Sequence, residues 1–260
     1  MDAVAVTTFI LALIGALAWI PPILEWRRKP DVQIVSSEQI EVSYMAFGGV
    51  LNISCTFASF QKAALIESLK LSLQHEDGAR LEFFCVGLSE SATAQSSSGE
   101  RVFWNKETRG HALAIPQDSA VEKLVLFRDR AQSTAVRRFY ERLVPLYQRL
   151  QANEGATWRE AMRRTPEFDE YLRLVQNGQP WRRGKYSAVL TARVRGLSAP
   201  IQHRFAFEFS DADVRVVITN LEPLSRYVTS TLLESQPTMQ QPVPMLVYPA
   251  RQIEDAAPPA

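Results

Sequence analysis

The sequence is poor in the residues that carry metal and covalent chemistry. Its 260 residues include two cysteines and three histidines. Cys55 and Cys85 are too few for a disulfide framework, and they lack the short paired spacing of a zinc site. The histidines, His75, His111 and His203, are scattered and form no motif that pairs metal ligands or a nucleophile with its base. We therefore predict no metal site, no cofactor and no catalytic residue.

The chain also lacks an excess of charge of either sign. It has 29 basic and 28 acidic residues, and its formal net charge is +1. No global field therefore attracts it to nucleic acid or to an acidic surface. Nucleic acid is not an expected partner, and any electrostatic attraction must come from a local cluster. Hydrophobic residues make up 46% of the chain, which is ordinary for a globular protein with a core.

Ionisable side chains are absent from Ala3 to Leu24. A helix of about 22 residues is roughly 33 Å long, which matches a hydrocarbon core of about 30 Å. Two prolines end the regular helix near Ile20, and the neighbouring tryptophans suit the membrane interface. We predict a transmembrane anchor with its basic flank over residues 1–30. The predicted anchor and interface residues are Phe9, Ile10, Leu13, Leu17, Trp19, Trp26, Arg27, Arg28 and Lys29.

The topology of this segment follows from its flanks. No lysine or arginine precedes the apolar run, and three basic residues follow it. The positive-inside rule then predicts a single-pass signal-anchor with the N-terminus outside and the bulk of the chain in the cytoplasm. A cleaved signal peptide is one alternative, since Ala16-Leu17-Ala18 has the form of a cleavage site, although no basic residue comes before it. A buried core helix is the other, but it does not explain the abrupt end of apolarity at Glu25.

Short alternating segments follow Pro30 and predict strands. In VLNISCTF, residues 50–57, the apolar side chains fall on every second position and should face a core. Asp77-Gly78 supplies turn residues between two alternating runs, which predicts a β-hairpin.

A helical block interrupts the strand pattern at about residues 128–178. Apolar residues recur at three- and four-residue steps over 134–152, and a second helix begins near Trp158. Thr165-Pro166-Glu167 has the form of a helix start, with an N-cap, a first-turn proline and an acid. The sequence therefore predicts a helical insertion.

Strands resume at residues 181–196 and 201–210. Gly184-Lys185-Tyr186 opens this late hairpin, and here the chain resembles an immunoglobulin-like or fibronectin-III-like β-sandwich over roughly residues 31–127 and 181–210. The resemblance is one of architecture; neither cysteine follows Tyr186 at the spacing of the family's inter-sheet bridge, and no activity is implied.

The predicted fold class is therefore α+β, with an N-terminal transmembrane helix followed by an antiparallel β-sandwich that carries a helical insertion. The sandwich is predicted over residues 31–234. Residues 235–260 are rich in proline and glutamine, which predicts a disordered tail.

Arginine is concentrated in the helical block. From Arg128 to Lys185 there are thirteen basic residues and seven acidic ones. Such a local excess is most often a solvated helix face with ordinary ion pairs, but it would also attract anionic lipid headgroups, nucleic acid or an acidic protein. The candidate partner-binding residues are Arg137, Arg138, Arg163 and Arg164.

We predict a membrane-anchored protein whose cytoplasmic sandwich is a non-enzymatic interaction or scaffold module. The expected partners are the lipid bilayer, through the N-terminal helix, and a protein that the sequence does not identify. Two alternatives stay open. One is binding of a membrane surface or nucleic acid by the arginine-rich insertion, and the other is an enzyme whose site forms no sequence motif.

Overall fold

Alternating apolar and polar residues form antiparallel strands through most of the described chain. The computed structural model describes residues 28–45, 48–95, 101–108, 112–219, 246–249 and 251–252. The strands are β1 (Asp31–Met45), β2 (Gly48–Phe60), β3 (Ala64–His75), β4 (Arg80–Gln95), β5 (Arg101–Thr108), β6 (Leu113–Ile115), β7 (Ser119–Asp129), β8 (Gly184–Val194), β9 (Ile201–Phe209), β10 (Leu246–Pro249) and β11 (Arg251–Gln252). The helices are α1 (Arg130–Glu154), α2 (Trp158–Arg163), α3 (Pro166–Asn177) and α4 (Asp211–Thr219), and a 3₁₀ turn (Gly155–Thr157) joins α1 to α2.

All the described strands belong to one sheet, which curls into a nearly closed barrel. Its order is β10-β1-β2-β7-β4-β3-β8-β9-β11, with β5 beside β4 and β6 beside β3. The strands β10 and β11 stand at opposite ends of this order, although one residue separates them in the chain. Because one residue spans at most about 3.6 Å, the two ends of the sheet must lie close together. Ser36 Oγ on β1 and His203 Nε2 on β9 share a hydrogen bond of 2.7 Å across this junction.

The predicted fold class is wrong, because the domain is a barrel rather than an immunoglobulin-like sandwich. The side-chain alternation that suggested a sandwich is equally compatible with a barrel, since both bury one face of each strand. The difference is that one continuous sheet contains all the described strands and its two ends meet, whereas a sandwich consists of two packed sheets. Here β2 pairs with β7, and β3 pairs with β8. These pairings join distant parts of the chain that local periodicity does not relate.

No helix in the described part of the chain is long and apolar enough to cross a membrane. This finding contradicts three predictions: the transmembrane helix, the single-pass signal-anchor topology and the membrane localisation. The longest described helix, α1, has charged residues along its solvent side, which a hydrocarbon core disfavours. The segment predicted to span, residues 3–24, lies outside the described residues, as do the predicted anchor residues from Phe9 to Arg27.

The core lies inside the barrel and on the inner side of the helical insertion. The predicted inward face of β2 is confirmed, because Leu51, Ile53, Cys55 and Phe57 are fully buried. Both cysteines are free thiols, and Cys85 is half-buried. The predicted turn between β3 and β4 is also confirmed; Gly78 adopts a φ of 90°, which a side chain would disfavour.

The helices α1 to α3 lie between β7 and β8 in the chain. Thr165 caps α3 as predicted, with its Oγ1 accepting a hydrogen bond from Phe168 N at 3.3 Å. Phe168, Tyr171 and Val175 form the buried face of α3. Pro145 lies within α1, where it removes one backbone donor without ending the helix.

Part of the predicted disordered tail forms strands. Leu246–Pro249 pairs with residues 39–42 of β1, and Arg251–Gln252 pairs with β9. Leu246, Val247 and Tyr248 favour a strand, and Pro249 lies at the strand end, where a missing donor is tolerated. The rest of residues 235–260 lies outside the described part, and the domain boundaries stay predictions.

Candidate functional site

The four arginines predicted to bind a partner lie at two positions on the insertion. Arg137 and Arg138 lie on α1, whereas Arg163 and Arg164 lie at the end of α2, and all four are exposed. The helix α2 packs against the far half of α1, where the rings of Tyr147 and Trp158 meet edge to face with centroids 4.8 Å apart. The α1 arginines are roughly 14 Å from this contact, counted at 1.5 Å per residue. The four arginines thus lie in two adjacent pairs, one on α1 and one at the end of α2.

One arginine of each pair has a carboxylate neighbour. Arg137 Nε lies 4.0 Å from Glu141, and an Nη of Arg164 lies 3.9 Å from Glu160. Both are exposed contacts between residues four positions apart, and such pairs contribute little to stability. Within the described part of the chain, Arg138 and Arg163 have no carboxylate oxygen within 4 Å.

The apolar side of the insertion is occupied by its own packing. The rings of Phe139 and Tyr171 stack with centroids 5.7 Å apart, which joins α1 to α3. The Arg142 guanidinium lies 4.5 Å from the Phe139 ring centroid, and Arg159 lies 4.9 Å from that of Trp158. Arginine thus covers the faces of two aromatic rings in this small core, as cation–π contacts favour.

Buried polar contacts hold the insertion on the barrel. Asp129 ends β7 and caps α1 by accepting a hydrogen bond from Gln132 N at 3.1 Å. The Gln132 side chain donates to the Leu174 carbonyl at 2.9 Å, and the Tyr44 hydroxyl donates to the Val175 carbonyl. Burial raises the pKa of Asp129 and of Tyr44. We call Tyr44, Asp129 and Gln132 the polar seam; it fixes the arginines relative to the barrel.

A second polar cluster lies at the β3–β4 turn. His75 is buried, and its Nε2 lies 2.9 Å from the carbonyl oxygen of Arg183, just before β8. Arg182 and Asp77 form an exposed ion pair of 3.0 Å across the same turn. Gly184 has a φ of 126°, and a Cβ there would lie 2.7 Å from His75 Nε2. Polar contacts with Asp77 and with the Arg183 carbonyl occupy both ring nitrogens and join the turn to the start of β8.

The structure also forms a basic groove that the sequence did not reveal. It has a volume of about 620 Å³. It is lined by Arg28, Lys29, Pro30, Lys62, Ala63, Ala64, Leu65, Arg195 and Gly196. Arg28 and Lys29 were predicted to flank a membrane helix; here they join Lys62, which is 33 positions beyond Lys29, and Arg195, which is 166 positions beyond it. Only the pairing of strands brings these residues together.

The histidines and acids form no metal site in the described residues. No group of three or more His, Cys, Asp or Glu side chains there is placed to hold a metal ion. His75 belongs to the β3–β4 turn, His203 contacts Ser36, and His111 lies outside the described residues.

Comparison with known proteins gives distant structural similarities. No family model matches the chain, and no curated protein matches its sequence. The fold is similar to part of a family 123 glycoside hydrolase from Clostridium perfringens, at 8% identity and a TM-score of 0.37. It is also similar to Spo0M, a sporulation control protein from Bacillus subtilis, at 9% identity and a TM-score of 0.26. The alignments cover 70% and 76% of this chain, but 27% and 56% of those proteins. Neither similarity assigns a function or an immunoglobulin-like fold.

Proposed function

We propose that this protein is a non-enzymatic interaction module that binds an acidic surface of a protein partner through its helical insertion. The observation that carries the proposal is the placement of Arg138 and Arg163. Both are exposed, and neither has a carboxylate neighbour within 4 Å in the described residues. The polar seam and the stacked rings of the insertion hold their helices in place.

The chemistry of arginine suits such a surface. A guanidinium offers five N–H donors in a planar fork and binds a carboxylate through two parallel hydrogen bonds. Because the helices that carry these arginines are already packed, a partner would order side chains rather than backbone on binding. Arg137 and Arg164 lie beside them and would strengthen the local positive potential when a partner displaces their weak contacts with Glu141 and Glu160.

The test is to substitute Arg138 and Arg163, which are the two candidate partner-binding arginines that lack a carboxylate neighbour in the described residues. The full chain, the double variant Arg138→Ala/Arg163→Ala and the control Arg80→Ala/Arg204→Ala are each used to purify binding proteins from the cells that make the chain. The control removes two exposed arginines from the barrel and keeps the same net charge as the double variant. We expect an acidic protein that the wild type and the control retain and the double variant loses.

Salt and nuclease separate this proposal from its alternatives. Binding through exposed arginines should weaken between 50 and 300 mM NaCl, since the Debye length shortens over this range. Retention of the same partner by the double variant would contradict the proposal. Loss of the association after nuclease treatment would also contradict it, since the bound molecule would then be a nucleic acid.

A further inference from the structure

The basic groove lies at the end of the barrel opposite the helical insertion. The β2–β3 turn, the β8–β9 turn and the residues before β1 form its walls. Asp31 pairs with Phe60, and Arg195 N donates to the Leu65 carbonyl at 2.9 Å, which brings the three segments together.

Strand register sets the distance between the groove and the insertion. Val50, at the start of β2, pairs with Arg128 beside the insertion, and Ser59 pairs with Ser119 near the groove. Nine residue steps along a strand correspond to roughly 30 Å. The groove is therefore separate from the arginines of the proposed function.

The charge of the groove has one sign. Its nine lining residues include Arg28, Lys29, Lys62 and Arg195, and none of the nine carries a carboxylate. The neighbouring acid is Glu67, which lies 2.8 Å from Arg195 Nε and 4.0 Å from Arg193 Nε. Arg193 and Arg195 thus share the half-buried carboxylate of Glu67. Four basic residues line the groove.

The Arg195–Glu67 contact orients the guanidinium and offsets part of its charge. The hydrogen bond to Glu67 uses the Nε–H of Arg195, one of five N–H donors on the guanidinium. Arg195 is followed by Gly196, whose φ of 86° turns the chain at the groove wall. The glycine is required for this turn because a side chain is strained at that φ.

Two other carboxylates lie near the groove but do not line it. Asp31 follows Pro30 at the start of β1 and is exposed. Asp118 accepts a hydrogen bond from Gln61 N at 3.2 Å, beside Lys62 in the chain. Because neither carboxylate lines the groove, the residues that line it carry an excess of positive charge.

The volume and the lining of the groove suit a small ligand. A volume of about 620 Å³ is within the range of clefts that bind small molecules. Pro30, Ala63, Ala64 and Leu65 supply apolar surface beside the cations. From this combination we propose that the groove binds a small organic phosphate, with the phosphate on the lysines and arginines and the organic part on the apolar residues. Lysine and arginine are the usual protein ligands of phosphate oxygens.

The experiment measures binding of phenyl phosphate to the full chain by isothermal titration calorimetry in 50 mM NaCl. Phenol is the neutral comparison, because it has the same ring and no phosphate. The groove variant is Lys29→Ala/Lys62→Ala, and the matched control is Lys70→Ala/Lys185→Ala, which removes two lysines on β3 and β8 away from the groove. Far-UV circular dichroism and thermal unfolding are recorded for both variants to compare their folding.

We expect the full chain and the control to bind phenyl phosphate with the same Kd and phenol to show no binding. The groove variant should bind at least about tenfold more weakly, since two charge-assisted contacts are lost. An equal loss of affinity in both variants would overturn the proposal, because the binding would then follow net charge. A full chain that binds phosphatidic acid vesicles but not phenyl phosphate would also overturn it and make the groove a surface for a lipid headgroup.

Discussion

His75 Nδ1 lies 2.9 Å from Asp77 Oδ1, and this contact closes the β3–β4 turn beneath the first residues of β8. On the other side of the ring, Nε2 lies 2.9 Å from the Arg183 carbonyl oxygen. Both ring nitrogens thus face acceptors, which suits the imidazolium with its two N–H donors. The neutral ring has a single donor, and its free Nδ1 would accept the longer bond from Asp77 N at 3.3 Å.

The pKa values of this pair predict how stability depends on pH. Burial lowers the pKa of His75, but the hydrogen bonds to Asp77 and to the Arg183 carbonyl and the charges of Asp77 and Glu76 outweigh it, so the net direction is upward. The Ala79 N–H and the His75 ring lower the pKa of Asp77 to about 2. Arg182, which pairs with Asp77, acts in the same direction on the carboxylate.

We expect the His75–Asp77 contact to stabilise the fold most between about pH 4 and pH 6.5. The raised pKa of His75 contributes stability that is complete below about pH 6.5 and is lost as pH rises through the folded-state pKa. The lowered pKa of Asp77 contributes stability above about pH 4 that is lost as pH falls towards 2. Urea unfolding at pH 6 and pH 8 should show the wild type losing more stability than His75→Gln. Equal pH dependence of the two proteins would contradict this prediction.

Two substitutions of Asp129 should differ in their effect on the free energy of unfolding. Burial raises its pKa and outweighs the hydrogen bonds from the backbone of Gln132 and Ala131, so the ionised form is disfavoured in the folded state. Asn is an equally good N-cap without the charge. We expect Asp129→Asn to be at least as stable as the wild type at pH 7, and Asp129→Ala to be less stable by about 1 kcal/mol.

The pH dependence checks the origin of that contrast. Because the folded-state pKa is raised, the wild type should lose stability relative to Asp129→Asn as pH rises from about 4 through the folded-state pKa. Denaturant unfolding at several pH values measures this difference. A wild type that gains stability relative to Asp129→Asn over the same range would show that the carboxylate is favoured in the fold.

Gly49 predicts a steric effect where β2 meets the segment after α3. A Cβ on Gly49 would lie 2.7 Å from Pro180 Cγ, and the proline ring has little freedom to move away. Gly87 is the matched control, because its Cβ would lie 3.4 Å from the nearest atom, Leu126 Cδ1. We expect Gly49→Ala to lower the free energy of unfolding by about 1–3 kcal/mol and Gly87→Ala to have a smaller effect. Equal effects in urea unfolding would contradict the close approach to Pro180.

Local features of the fold were predictable, because neighbouring residues determine them. The burial of Leu51 and Phe57 on one face of β2 follows from alternation, and the positive φ of Gly78 follows from the needs of a tight turn. The cap of α3 by Thr165 likewise depends on residues within one helical turn.

The features that were missed depend on contacts between distant parts of the chain. The barrel differs from a sandwich because all the described strands pair into one sheet that closes on itself. This sheet depends on pairs of distant strands, such as β2 with β7 and β3 with β8, which no local pattern specifies. The basic groove combines Arg28, Lys62 and Arg195 through the pairing of β1 with β2 and of β3 with β8. The membrane prediction relied on the composition of one segment, and no described helix has the required length and apolarity.

The closing strands β10 and β11 give the last prediction. The residues Leu246 to Pro249 pair with β1, and Arg251–Gln252 pairs with β9. A chain that ends after residue 245 loses both pairings and leaves β1 and β9 as sheet edges, with unpaired backbone groups that favour association with other chains. A chain that ends after residue 252 keeps both strands and is the matched control.

We expect the shorter chain to have a Tm about 4–8 °C below that of the control, the shift that roughly 2 kcal/mol produces in a domain of this size. Light scattering should show self-association of the shorter chain alone. Equal Tm values with both chains monomeric would show that these strands do not stabilise the closure of the barrel.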